Sequence, residues 1–354
     1  MRKILCFIAT SLLCAPSVFS QQSIYIGVAA KNAKDGKIRI ALEGFVPYTP
    51  SDPKELALAQ RMQDVLRSDL LFSRYFEVLE KQAGDAAAQQ PDYWKKAGAS
   101  YVVNGTVRLL KQDRWVMTAL VRGVDSAESI AQKAYRGLPV NERAAAHRLA
   151  DEIIWRLTGK KGIAHTKIAF ANDSTGHKEI YVVDYDGEGM TRLTTDKSIA
   201  LLPRWSADGG SLYYTTYRYG NPDSFEIELA QRRIKPFSVF QGINITGGTS
   251  PDGSEIAMTL SRGRDPSIYI VNRAKQEARK ITGGSGVDSS ASYSPDGKFV
   301  TFISDRSGNP QVYIMELATS KTQRLTRLNW CDSPQWSPSG EWIVFAGREK
   351  NYDD

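Results

Sequence analysis

One sequence pattern recurs every 44 residues through the second half of the chain, and it limits the folds that the chain can adopt. An apolar triplet with an aromatic residue or Met in third position occurs five times, ending at Phe170, Tyr214, Met258, Phe302 and Phe345. The steps between these residues are 44, 44, 44 and 43. A constant period of about 40–45 residues indicates an architecture in which each copy is one structural unit.

Each copy carries the signals of four short strands. In the fourth copy a turn at 293–297 separates an inner strand from a second strand at 298–303. A third strand is predicted at 311–316 and a fourth around 324–326. These runs are β-branched or aromatic and are bounded by Gly, Pro, Asp or Asn, as strands and their turns are. The pattern predicts a β-propeller built of four-stranded blades over residues 161–354.

The preceding part of the chain predicts a different kind of domain. Strands alternate with helices over residues 37–160, which is typical of a small α+β domain. Asp52 and Pro53 give the sequence of a helix start, and Asn141 is predicted to cap a last helix that Gly159 ends.

The first residues have the features of an export signal. A basic start, an apolar run and small residues before Gln21 predict a secretory signal peptide over residues 1–20. No other stretch reaches the roughly 20 apolar residues that a membrane-spanning helix needs. Cys6 and Cys14 lie in the predicted signal, which leaves Cys331 as the one thiol of the remainder and predicts no internal disulfide. The pattern predicts an exported protein.

The charge balance argues against a nucleic-acid partner. The formal net charge is +7, and the signal contributes Arg2 and Lys3 to it. The remaining excess is mild and spread along the chain, without the run of Lys and Arg that follows a phosphate backbone.

No catalytic, metal or cofactor site is predicted. His147, His165 and His177 have no second His or Cys at metal-ligand spacing, and His147 is interpreted as a surface or packing residue. The segment 283–287 resembles a nucleophile elbow, but Val287 stands where Gly is required. The recurring Ser-Pro-Asp-Gly segments are interpreted as hairpin turns, because a fifth copy with Ser339 in place of Asp suits a turn and not a metal ligand.

A protein partner is the ligand that the loops predict. The antiparallel order of a blade puts the regular turns on one face and the variable loops on the other, where function on a rigid scaffold is usually found. Acidic and basic residues balance in these loops, which favours a protein over a polyanion. The predicted partner-binding residues in the loops and around the mouth of the channel are Arg218, Ile243, Asn244, Arg262, Asp288, Ser289, Arg306, Asp332 and Ser333.

The segment 21–36 has two interpretations. Ile24, Tyr25 and Ile26 form a short β-prone run followed by polar residues. It is either an edge strand of the next domain or a mobile arm that pairs with the sheet edge of a partner.

The whole arrangement resembles the TolB family of the Tol-Pal system. The resemblance rests on the signal peptide, the small α+β domain, the junction at 157–162, the run 167–170 and the Trp-Ser-Pro-Asp-Gly-type blades. It implies a non-enzymatic periplasmic protein, and we expect a monomer. Its propeller face would bind the peptidoglycan-associated lipoprotein Pal, with contacts around 243–244 and 288–289, and the arm with Ile24, Tyr25 and Ile26 would bind TolA. The resemblance thereby favours the mobile-arm interpretation and implies a role in outer-membrane integrity and cell division, with other outer-membrane-associated proteins as further partners.

The length departs from that family. The resemblance implies six blades, whereas about four and a half are present before Asp354, so we expect a truncated product with an exposed sheet edge. An alternative is the propeller part of a prolyl-oligopeptidase-type serine hydrolase, whose Ser and His would lie beyond Asp354.

Overall fold

The structure is a computed structural model that describes residues 36–81, 92–125 and 129–349, and the backbone of a short strand β1 (Leu5–Phe7). The predicted signal peptide and N-terminal arm otherwise lie outside the described residues. The chain forms two compact units. Among the described residues, one unit comprises those between 36 and 167 together with 184–188, and the other comprises 168–183 and 189–349 together with β1.

The first unit is a five-stranded mixed sheet with helices. Its strands lie in the order β3-β2-β4-β5-β6, with β2 parallel to β3 and β4 and the other pairs antiparallel. The bounds are β2 (Ile38–Pro47), β3 (Phe76–Leu79), β4 (Tyr101–Leu109), β5 (Trp115–Gly123), β6 (Ser129–Gly137), α1 (Pro53–Phe72), α2 (Tyr93–Lys96) and α3 (Glu142–Thr158). The predicted α+β composition of this region is confirmed.

Helix α1 begins where the sequence predicts. The Asp52 side chain accepts hydrogen bonds from the backbone N–H groups of Lys54 and Glu55, and Pro53 occupies the first turn. The buried carboxylate of Glu55 accepts from the N–H of Leu109 at 2.7 Å and so ties the helix to the end of β4. Leu66 and the other buried apolar residues of α1 pack with α3 and the sheet in one core.

Helix α3 begins differently from the prediction. Asn141 precedes the helix, but its side chain makes no capping hydrogen bond, because Pro139–Asn141 form a turn of 3-10 helix that leads into Glu142. The C-terminal prediction is confirmed: Gly159 takes φ 69° and its N–H bonds to the carbonyl of Trp155.

The second unit consists of radial sheets of the predicted propeller type. Three sheets have four antiparallel strands each, in sequence order. Their bounds are β10 (Ala200–Trp205), β11 (Ser211–Thr216), β12 (Asp223–Glu228), β13 (Arg233–Ser238), β14 (Asn244–Thr249), β15 (Glu255–Leu260), β16 (Ser267–Asn272), β17 (Ala278–Lys280), β18 (Asp288–Tyr293), β19 (Phe299–Ser304), β20 (Gln311–Glu316) and β21 (Thr322–Arg324). Two incomplete sheets flank them, formed by β7 (Lys167–Asn172), β8 (Glu179–Asp184) and β9 (Thr191–Arg192), and by β22 (Trp330–Trp336) and β23 (Ile343–Arg348), to which β1 adds in parallel.

The recurring turns have one geometry. In each, the Ser hydroxyl donates to the carboxylate of the Asp two residues later at 2.6 Å. The three pairs are Ser206–Asp208, Ser250–Asp252 and Ser294–Asp296. In the fifth copy the hydroxyls of Ser337 and Ser339 lie 3.2 Å apart in the same arrangement. The hairpin-turn interpretation is therefore confirmed.

Within the described ranges, no helix combines the length and apolar character that would let it cross a membrane.

Candidate protein-binding face of the propeller

The variable loops of the three complete blades lie together at one end of their strands. Since β10 to β13 and their repeats are antiparallel, the connections from second to third strand and from the outer strand to the next inner strand share that end. We call this surface the loop face. It is formed by residues 217–222, 261–266 and 305–310 and by 239–243, 281–287 and 325–329.

Arg218 on the loop face is held by a buried acid. Its guanidinium forms a salt bridge with Asp196, whose side chain is fully buried. Asp196 also accepts from the hydroxyl of Thr216 at 2.7 Å and from that of Tyr214 at 3.1 Å. The guanidinium stacks over Phe225 at 4.9 Å. Because the charge of the guanidinium is paired with Asp196 and its flat face packs on Phe225, the Arg218 side chain is held in one orientation.

Arg306 has an equivalent arrangement two blades later. One guanidinium nitrogen lies 2.8 and 3.0 Å from the two carboxylate oxygens of Asp288, and Nε donates to the hydroxyl of Ser304 at 2.8 Å. The Asp288 side chain is nearly fully buried, so its charge depends on this arginine. The two residues that were predicted as separate contacts thus form one ion pair.

Arg262 occupies the same repeat position, 44 residues after Arg218 and 44 before Arg306. It is exposed, and its guanidinium stacks over Phe240 at 4.4 Å. Phe240 stands 44 residues after Asp196, so the third blade has an aromatic ring where the second has the acid. Among the described residues Arg262 has no carboxylate within salt-bridge distance, and its charge faces solvent.

Asn244 is a structural residue of the loop that carries Phe240. The Asn244 side chain is fully buried, and its Nδ2 donates to the carbonyl of Phe240 at 2.6 Å and to Asp223 at 3.1 Å. Its Oδ1 accepts from the hydroxyl of Ser238 at 2.9 Å. Through these hydrogen bonds Asn244 holds the backbone of Phe240, on whose ring Arg262 lies. A contact of Asn244 itself with a partner stays a prediction.

The remaining predicted residues lie at the start of inner strands. Ile243 and Ser289 are half-buried, and the N–H of Ile243 donates to the hydroxyl of Ser261 at 2.7 Å. Asp332 is also half-buried and accepts from the hydroxyl of Ser290 on the neighbouring blade at 3.1 Å. Ser333 donates its N–H to the same carboxylate at 2.7 Å. These residues line a partly polar surface near the inner strands.

The inner strands contain bulges that sequence reasoning missed. The pairing shifts after Leu201, Ser289 and Asp332, and the next residues, Leu202, Ser290 and Ser333, take φ values of 53°, 55° and 52°. A left-handed conformation is uncommon for a residue other than glycine, and bulges redirect side chains.

Arg204 follows the first of these bulges, and sequence reasoning missed this residue as well. Its Nε is buried and has no hydrogen-bond partner in the described part of the chain, while NH1 donates to the carbonyl of Pro203 at 3.2 Å. Burial lowers the pKa of Arg204, and the negative charge of Asp332 acts in the opposite direction. No sequence signal marked it, because its burial depends on strands that come from other blades.

The other residues singled out in the sequence have different outcomes. Ile24, Tyr25 and Ile26 lie outside the described residues. Ser285 is exposed in the connection between β17 and β18, and the described residues give it no hydrogen bond to a histidine. Of the two interpretations of His147, surface or packing residue, the structure supports packing: His147 is buried in α3, where its Nδ1 lies 2.8 Å from Asp69 of α1.

Comparison with known protein families gives two matches in chain order. The TolB amino-terminal domain matches residues 26–126, and the TolB beta propeller domain matches residues 154–353. The second match covers more than half of the chain.

Individual relatives agree with these matches. The Tol-Pal system protein TolB of Desulfosudis oleivorans is 34% identical over 252 residues, which are 68% of this chain and 56% of that protein. The protein of the same name from Geobacter sulfurreducens is 34% identical over 203 residues, or 56% of this chain and 46% of that protein. The chain thus spans about half the length of the curated relatives it matches.

A solved structure shares the fold. The crystal structure of TolB from Acinetobacter baumannii superposes with a TM-score of 0.74 at 24% identity, covering 90% of this chain and 78% of that one.

Proposed function

Because this chain belongs to the TolB family, we propose that it is a non-enzymatic, protein-binding component of a Tol-Pal system in the periplasm. Its propeller would bind the peptidoglycan-associated lipoprotein Pal through the loop face, and its N-terminal arm would bind TolA. Through these partners it would support outer-membrane integrity and constriction during cell division. The proposal rests on two family matches: the TolB amino-terminal domain matches the first part of the chain, and the TolB beta propeller domain matches the second.

The charge of the loop face supports a protein partner there. Arg218 and Arg306 are neutralised by buried acids, whereas Arg262 presents its charge and the Phe240 ring beneath it to solvent. Arginine and aromatic residues are both enriched at protein interfaces, and arginine is among the residues that contribute most near their centre. Arg262 is therefore the loop-face residue from which we expect the largest contribution to binding.

The arm is proposed from its sequence alone. Ile24, Tyr25 and Ile26 are consecutive residues of a short β-prone run, which suits addition to an exposed sheet edge of a partner.

Binding to purified Pal of the same organism tests the first half of the proposal. Isothermal titration calorimetry with the full-length protein should give a saturable complex. Arg262→Ala should weaken it by about tenfold or more, the effect of losing a central arginine contact. Lys298→Ala, on the regular-turn face, should leave the affinity unchanged because it lies at the opposite end of the strands.

Deletion of residues 21–30 tests the second half independently. The deletion should abolish binding to the TolA C-terminal domain and leave the interaction with Pal intact. The proposal would be wrong if the full-length protein bound neither partner, or if Lys298→Ala and Arg262→Ala weakened binding to Pal equally.

A further inference from the structure

A cluster of ionisable side chains is buried in the α/β unit. Asp69 of α1 and His147 of α3 are each 2% exposed. Tyr185 and Asp186 come from the turn 184–188, which belongs to the same compact unit. One ligand atom from each of Asp69, His147 and Asp186 lies within 4.8 Å of the others.

Hydrogen bonds fix the orientation of the imidazole. Oδ2 of Asp69 lies 2.8 Å from Nδ1 of His147, and Oδ1 of Asp69 accepts from the Tyr185 hydroxyl at 2.5 Å. An ionised carboxylate only accepts, and Nδ1 of His147 must therefore carry the proton. When the ring carries only that proton, Nε2 presents a lone pair.

That lone pair has no protein donor. Nε2 is buried and has no hydrogen-bond partner among the described residues. The nearest charged atom across from it is Oδ2 of Asp186, at 3.7 Å. Oδ2 of Asp186 already accepts from Arg143, whereas Nε2 of His147 has no partner, and a buried ring nitrogen without a partner is unfavourable. A metal ion between Nε2 and the carboxylate would satisfy the nitrogen.

We propose that Nε2 of His147 and the carboxylate of Asp186 bind a divalent transition-metal ion of the Zn²⁺ class, with Asp69 orienting the imidazole from behind. A ligating histidine whose second ring nitrogen donates to a carboxylate is the usual arrangement at protein zinc sites. Bond lengths of about 2.0–2.2 Å at a tetrahedral angle would put the nitrogen and oxygen about 3.4 Å apart. The observed separation of 3.7 Å is within a small side-chain adjustment of that value. Water would complete the coordination.

Arg143 gives the proposal a specific consequence. Its guanidinium forms a salt bridge with the same Oδ2 of Asp186 that faces His147. A metal ion and this arginine therefore compete for one oxygen, and removal of the guanidinium should strengthen metal binding. A purely structural role for the cluster predicts no such gain.

Calorimetric titration of the metal-free, full-length protein with Zn²⁺ tests the site. We expect one ion per chain at this position, with at least a tenfold loss of affinity in Asp186→Asn and in His147→Asn. Arg143→Gln should bind Zn²⁺ more tightly than the wild type. The matched control is His165→Asn, because His165 also contacts a carboxylate, that of Asp151, but is exposed; its affinity should not change.

Thermal melting separates metal binding from folding. Zn²⁺ should raise the melting temperature of the wild type and not that of Asp186→Asn, whose substitution lies in a turn and should leave the protein folded. If His147→Asn does not fold, Asp186→Asn decides the question alone. The proposal fails if Zn²⁺ produces no heat of binding at millimolar concentration, if Asp186→Asn binds as the wild type does, or if His165→Asn removes the binding.

Discussion

At the scale of single residues, three arginines at one repeat position have three different surroundings. Arg218 faces Asp196, Arg306 faces Asp288, and Arg262 lies on the Phe240 ring. The backbone that presents them is the same, so the difference comes from the side chains of the neighbouring connection. At this repeat position, Arg218 and Arg306 therefore stabilise their blades by pairing with buried acids, whereas Arg262 keeps an exposed charge.

Removal of these arginines should separate stability from binding. Arg306→Ala leaves the nearly buried carboxylate of Asp288 without its cation and should lower the free energy of unfolding by about 1–3 kcal/mol. Arg262→Ala removes one exposed cation–π contact and should cost no more than about 1 kcal/mol. Urea denaturation of both variants checks this, and equal losses would contradict the assignment of roles.

Asp223 should make stability depend on pH. Burial raises the pKa of its carboxyl above the ordinary value, while Asn244 donates a hydrogen bond to it. A raised folded-state pKa stabilises the protein below the unfolded value, and that contribution is lost as the pH rises through the folded pKa. The variant Asp223→Asn keeps a side-chain oxygen that can accept the hydrogen bond from Asn244, and its amide group does not titrate. Relative to the wild type, this variant should therefore gain stability between about pH 4 and pH 7, as measured by urea denaturation at each pH; a constant difference would contradict this account.

At the scale of elements, the inner strands depart from a regular blade. Gly247 lies within the irregular pairing of β14 and β15. A Cβ at this position would meet the carbonyl oxygen of Ala257 at 2.1 Å and that of Ala291, on the next blade, at 3.0 Å. The two blades approach each other closely here because this residue has no side chain.

Substitution of that glycine should destabilise the propeller. Gly247→Ala forces two backbone segments apart and should cost about 2–4 kcal/mol in the free energy of unfolding. Gly263 is a suitable control, since a Cβ there meets nothing within 4 Å and its φ is not in the left-handed range. Gly263→Ala should be neutral or stabilising by up to about 1 kcal/mol. Chemical denaturation distinguishes the two, and a neutral Gly247→Ala would show that the blades can separate at this point without cost.

The sequence was sufficient for the strands because their signals are local and repeated. The third strand of the fourth copy was predicted at 311–316 and is β20 (Gln311–Glu316). Bulges and the cluster at His147 could not be predicted in this way. Asp69 is 78 residues from His147 in sequence, and only the packing of α1 on α3 brings them together.

Part of the candidate site could have been found from the period alone. Phe240 is the counterpart of Asp196 at a step of 44, and Arg262 is the counterpart of Arg218, so the exchange of an ion pair for a stacked pair is visible in the sequence. The burial of Asn244 was not visible, because it depends on hydrogen bonds from Ser238 and Asp223.

At the scale of the whole molecule, the chain joins an α/β unit and a propeller unit in the order of the TolB family. The regular Ser–Asp turns close one end of the blades with local hydrogen bonds. The connections at the opposite end differ from copy to copy in the length of their polar stretches, in their charge and in their aromatic residues. Variation on a constant frame is what a binding surface requires.

Hydrogen–deuterium exchange of the full-length protein, with and without saturating Pal, tests this account most directly. The account predicts slower exchange in residues 217–222, 239–243, 261–266 and 305–310, which belong to the loop face, and unchanged exchange in the turns at 206–210, 250–254 and 294–298. Protection of those turns, or of neither set of residues, would contradict the central claim that the variable loops bind the partner.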